Sequence, residues 1–145
     1  MSSAEARALI DASRYMVLGT AGADGSPWVS PVWFAHSGYR ELYWVSAPGA
    51  RHSRNLTERP AVSIAIFDSH VVPGEAFAVY MEASAARAED VEAGLAVFNA
   101  KGLAQGLREW TADDVAEAAR HRLYRAVALR QWVLGERDTR VEVEL

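Results

Sequence analysis

The sequence contains no cysteine, a single lysine and no long hydrophobic run. Without cysteine there is no disulfide framework, no Cys-ligated zinc or iron–sulfur site and no thiol nucleophile. Lys101 stands beside 14 arginines, so a cationic grip on phosphate falls to Arg, His or backbone N–H groups. A basic surplus is missing too. Fifteen basic against 19 acidic side chains leave a net charge of −4, which argues against a nucleic-acid partner. No apolar stretch approaches the roughly 20 residues that span a bilayer, so no membrane partner is expected. The opening residues, MSSAEARALIDASR, lack the apolar h-region of a secretory signal, and a cytoplasmic location is the expectation. No internal repeat or low-complexity tract divides the chain. Its 145 residues, half of them hydrophobic, suit one domain with a core of its own.

Punctuation residues divide the chain into short elements. Ser2 and Glu5 have capping-box spacing and predict a helix carrying Leu9 and Ile10. Residues 15–20 read as a strand, and Asp24-Gly25 as a hairpin turn. Residues 28–35 and 41–46 read as the next strands of a β-meander. Residues 50–58 fit a short helix that ends before Pro60. In 61–68, Val62, Ile64 and Ile66 alternate with small residues, and 76–83 form a fifth strand. Val91, Leu95 and Phe98 share one helix face. Thr111 and Asp114 predict a helix start, flanked by Trp110 and Val115 and running to about residue 120. Residues 123–134 and 139–145 return to strand, the last as a half-exposed edge. The sum is a mainly β domain with helices, a small antiparallel barrel of about seven strands with a helical insert near residues 87–120.

Two adjacent strands are apolar on both faces. In 28–35, Trp28, Val32 and Phe34 point one way, and Val29, Pro31, Trp33 and Ala35 the other. In 41–46, Leu42 and Trp44 oppose Tyr43 and Val45. A barrel strand with a wet outer face should alternate apolar with polar. Although strand aromatics are more often plain core, the doubled pattern predicts a covered outer face. A second subunit, a flat ligand or both would cover it.

Ser46-Ala47-Pro48-Gly49-Ala50-Arg51-His52 joins a strand to a helix N-terminus. Unpaired N–H groups and the helix dipole favour an anion there, and cations in a first turn are unfavourable without one. Arg51, His52 and the Ser46 hydroxyl therefore form a candidate phosphate site, weighed against a solvated basic helix start. No G-x-G-x-x-G or Walker loop is present.

The ordered set LGTAGADGSPWVSPVWF, ELYWVSAPGARHSRNL and RPAVSIAIF resembles the pyridoxamine 5′-phosphate oxidase-like, FMN-binding split-barrel superfamily. LYRAVALRQWVL resembles its closing strand. The resemblance implies a six- or seven-stranded antiparallel split barrel and a homodimer with cofactor sites between the subunits. By the same resemblance Ser30, Pro31, Val32 and Trp33 would line the flavin ring. Val45 and Ser46 would lie beside the ring and ribityl chain, and Arg51 and His52 would hold the phosphate. Ala50 and His52 stand where the family usually has Ser and Lys, and Ala78 where many members carry Gln. The Trp…Arg-Leu-Pro ending of true pyridoxamine phosphate oxidases is replaced by VEVEL.

The implied function is an FMN-dependent oxidoreductase passing hydride through flavin N5 to or from a small-molecule substrate. The alternatives are an F420-dependent reductase, using Arg51, Arg54 and Arg59 as a basic groove, and a non-catalytic flavin, haem or pyridoxal-phosphate binding protein. No catalytic side chain is assigned. The four histidines lack metal-ligand spacing, so no metal site is expected. Asp68 and His70 are without an assigned role.

Overall fold

The computed structural model describes residues Met1–Leu145. Helix α1 (Ser3–Ala12) begins at the expected capping box: Glu5 N donates to Ser2 Oγ at 3.2 Å, and Ser2 N to Glu5 Oε2 at 2.7 Å. Strands β1 (Tyr15–Ala21) and β2 (Pro27–Trp33) form a hairpin. Its turn uses Gly25 at φ 84°, a conformation costly for any side-chain-bearing residue. Next come β3 (Ala35–Ser37), β4 (Glu41–Ser46), α2 (Arg51–Glu58), β5 (Ala61–Phe67), β6 (Ala78–Arg87) and α3 (Val91–Ala104). The chain ends with β7 (Arg122–Leu134) and β8 (Arg140–Val143).

One eight-stranded sheet runs β2-β1-β5-β6-β7-β4-β3, with β8 also paired to β7, and every pairing is antiparallel. It curls into a split barrel whose end strands, β2 and β3, are not laddered together. Inside lie Met16, Leu18, Phe34, Leu42, Ile64, Ile66 and Met81, closed off by Ala6 and Ile10 of α1. Trp44 stacks on Tyr124 there, centroids 5.8 Å apart. None of the helices is long and apolar enough to cross a membrane.

Several expectations need correction. The first three strands are not a meander: residues 28–35 break at Phe34, and the β1–β2 and β3–β4 hairpins sit at opposite ends of the sheet path. Pro31 is tolerated because β2 is an edge. The fifth strand starts at Ala78 and runs to Arg87, leaving Phe77 exposed. The helix expected from Thr111 is only a 3-10 turn, Ala112–Val115, although its capping box forms. Beyond it the carbonyls of Glu117, Ala119 and His121 accept from the Arg122 guanidinium instead of continuing a helix.

The outer face of β4 is covered from within the chain. Tyr43 and Leu123 pack with Leu95 and Phe98 of α3 and with Val115 in a second core, and Val45 leans on it. That second core accounts for the doubled apolarity of β4 without a partner subunit. The outer face of β2 is different: Val29 is 66% exposed.

Candidate functional site

A cleft of about 480 Å³ opens beside the strands at the barrel's split. Pro31, Val32 and Trp33 of β2, Val45 and Ser46 of β4 and His52 of α2 line it, with Tyr15 of β1. The helical insert supplies the rest: Phe98, Asn99 and Gly102 of α3, then Leu107, Arg108, Trp110 and His121. Six of the eight sequence-derived site residues are thus brought together. Ser30 and Arg51 are not among the lining residues. Ser30 is half-buried opposite Leu18 in the β1–β2 ladder, and the Arg51 guanidinium lies 4.2 Å over the Trp28 ring.

Trp33 is held by two residues at or just past α3. Its indole N–H donates to Gln105 Oε1 at 3.0 Å, and its ring meets Phe98 edge-on at 4.8 Å. An indole held at both its polar and apolar parts presents a set surface to the cleft.

His52 Nε2 lies 2.9 Å from Ser46 Oγ, joining the end of β4 to the first turn of α2. Burial pushes the His52 imidazole below its ordinary pKa, because the charged form loses solvation. The N-cap of α2 is Ala50, whose side chain caps nothing, and no acid sits in the first turn. Uncapped N–H groups beside two basic residues fit an anion chemically.

The insert residues were not assigned by sequence reasoning, apart from Trp110 and Phe98 as candidates for shaping a mouth. The available signal was Asn99, a polar residue next to Phe98 in the apolar middle of the helix. It is only 9% exposed. Asp68 and His70 lie elsewhere, as a surface pair 3.1 Å apart that borders no part of the cleft. The backbone N–H of His70 is the main reason the Asp68 carboxyl titrates below its usual range.

Fold and cleft together define a split-barrel protein. A family model described as pyridoxamine 5′-phosphate oxidase matches residues 2–129, and the chain belongs to that family. No curated protein matches the sequence. Among solved structures, a haem-binding protein from Mycobacterium smegmatis superposes with a TM-score of 0.76 at 23% identity, over 99% of this chain. This chain spans only 58% of that protein. HutZ, the haem storage protein from Vibrio cholerae, gives 0.69 at 23% identity, over 87% of this chain and 89% of its own. A Clostridium acetobutylicum protein of the pyridoxinephosphate oxidase family gives 0.67 at 12% identity, over 98% and 93%. At these identities the likenesses establish the fold.

Proposed function

We propose that this chain is an FMN-binding oxidoreductase acting on a small molecule, assembled as a cytoplasmic homodimer with cofactor sites at the subunit boundary. One observation carries the reading. The cleft's apolar wall, Pro31, Trp33 and Val45, ends at the Ser46–His52 pair and the uncapped start of α2. That arrangement suits a flat ring with a phosphate at its far end.

FMN, when bound, supplies hydride transfer through its N5. The side chains of this protein bind and orient. Pro31, Val32, Trp33 and Val45 form a dry bed for the ring, with Ser30 behind Pro31. Ser46 offers a hydroxyl, and His52 holds a proton on its imidazole once a phosphate neutralises the burial cost. Arg51 reaches the same phosphate by leaving the face of Trp28.

The outer face of β2, β1, β5, β6 and β7 is the seat for the second subunit. Pro31, Val17, Ala65, Tyr80 and Trp132 follow one another across it by ladder register, and the last four border, with Val29, a shallow depression of about 450 Å³. Pro31 and Tyr15, on the same face, border the cleft, so a subunit seated there reaches the cofactor.

Haem binding without flavin chemistry is a second reading. It is supported by His121 in the cleft, a neutral imidazole being a common iron ligand. The F420 reading has less support. Arg51 sits over Trp28, while Arg54 and Arg59 donate to the carbonyls of Gly49 and Ala23, so no basic groove is assembled. The test is the absorbance spectrum and mass of what copurifies, followed by FMN titration and NAD(P)H turnover. Flavin bands and saturable FMN binding support the proposal. A Soret band, or colourless protein that ignores FMN and takes F420, overturns it.

A further inference from the structure

The sheet face that would seat a second subunit carries four charged side chains beside its aromatic ones. Glu82 of β6, Arg130 of β7, and Arg140 and Glu142 of β8 share the side of Tyr80 and Trp132, by alternation along each strand and by register across the ladders. Two of the four satisfy each other. Arg130 donates to Glu142 through Nε and Nη2, at 2.9 and 2.8 Å.

The other two have no such partner. Glu82 and Arg140 belong to none of the chain's seven salt bridges. Glu82 stands across the ladder from Arg130, but that guanidinium is forked onto Glu142. The Arg140 guanidinium lies 4.0 Å over the Tyr80 ring. A stacked guanidinium keeps its N–H donors around its edge, free for a carboxylate. Both side chains are exposed in the single chain, and both border the depression of about 450 Å³ that Tyr80 and Trp132 share.

A two-fold contact is isologous: if one residue meets another across it, the reverse contact forms too. A face with one unpaired acid and one unpaired base is therefore complementary to its own copy, and two ion pairs form at once. The apolar residues drive burial but tolerate sliding. Charges fix register, because a shifted subunit leaves them buried without partners.

We infer that Glu82 of each subunit pairs with the partner's Arg140, and that these two pairs set the register of the homodimer. This rests on the homodimer of the proposed function and is independent of the cofactor.

The test is sedimentation of the wild type, of Glu82→Arg and of Arg140→Glu, alone and mixed. Each reversal alone sets like charges face to face twice per dimer. It should raise the dimer dissociation constant by about tenfold or more, with the melting curve of the monomer unchanged. Mixed in equal amounts, the two variants restore both pairs. They should form a mixed dimer near wild-type affinity, identified by its mass in native mass spectrometry. The inference is overturned if either reversal dimerises as tightly as wild type, or if the mixture associates no better than its components. A wild-type chain that stays monomeric at every concentration would instead overturn the homodimer reading beneath it.

Discussion

Lys101 Nζ donates to the carbonyl of Phe34 at 2.6 Å while lying 4.0 Å from the centre of the same residue's ring. A second bond runs to Ser13 O at 2.7 Å. The chain's only lysine thus clips α3 to the end of α1 and to the break between β2 and β3. Lys101→Met keeps the apolar stem and removes both donors, leaving two carbonyls short of a partner. The expected loss is about 1–3 kcal/mol, read from urea unfolding. Burial also pushes the Lys101 pKa down to about 8 from 10.5. Between those values the unfolded chain binds more protons than the folded one, so this residue makes stability rise with pH across that window. The neutral amine still has hydrogens for both carbonyls. The stability gap between wild type and Lys101→Met should therefore widen from pH 8 to 10.5, the window of the shift.

Gly94 lets α3 lie close on β4 and β7. A Cβ there would stand 2.7 Å from Leu123 Cδ2 and 3.0 Å from Tyr43 Cε1. Helix propensity alone favours Gly94→Ala by about 1 kcal/mol. The contact opposes it, because overpacking a core costs about 1–3 kcal/mol. We expect a net lower melting temperature, and weaker ligand binding because α3 also carries Phe98 and Asn99. An unchanged or raised melting temperature would mean that Leu123 moves aside freely.

The features legible in the sequence are those set by near neighbours. Ser2 with Glu5, the Asp24-Gly25 turn, the alternation of Val62, Ile64 and Ile66, and the start of α2 at Arg51 each depend on a few adjacent residues. Pairing between distant strands does not. Nothing local in Glu41 says that its ladder partner is Val127, and the meander reading failed for that reason. The cleft divides the same way. Pro31, Trp33, Val45, Ser46 and His52 were readable because two strands and a helix start carry them, with a family resemblance to place them. Arg108 and His121 belong to loops whose course is set by Asn99 and Arg122, contacts between side chain and distant or irregular backbone. The apolar outer face of β4 shows in the periodicity, but periodicity shows that a face is buried and not by what: α3 covers Tyr43, and Val45 borders the cleft.

The outer face of β2 keeps the prediction that β4 lost. Val29 is 66% exposed and pairs across the ladder with Gly19, which offers it no side-chain cover. Val29→Asp should leave the monomer folded, because the side chain is largely exposed and belongs to neither core. It should raise the dimer dissociation constant by about tenfold or more, since an unpaired carboxylate would be buried at the contact. Sedimentation at several concentrations reads this directly. Dimers that survive unchanged would place the second subunit elsewhere.

His52 should make the protein's response to acid depend on the cofactor. In the free protein, burial holds its pKa below the ordinary 6.5. The folded chain then binds this proton less readily than the unfolded one, so stability falls as pH drops below about 6.5 and levels off once the folded-state value is passed. A phosphate beside the ring reverses the preference by favouring the imidazolium. FMN binding near neutral pH should accordingly take up as much as about one proton, measurable by calorimetry in buffers of different ionisation enthalpy. Affinity should rise as pH falls from about 8 toward 6, below which the phosphate itself begins to protonate. His52→Asn should weaken FMN by about tenfold and flatten both the stability and the affinity profiles. Arg51→Ala should weaken it less, because that guanidinium gives up its place on Trp28 to reach the phosphate. Proton uptake that persists in His52→Asn would move the phosphate away from α2.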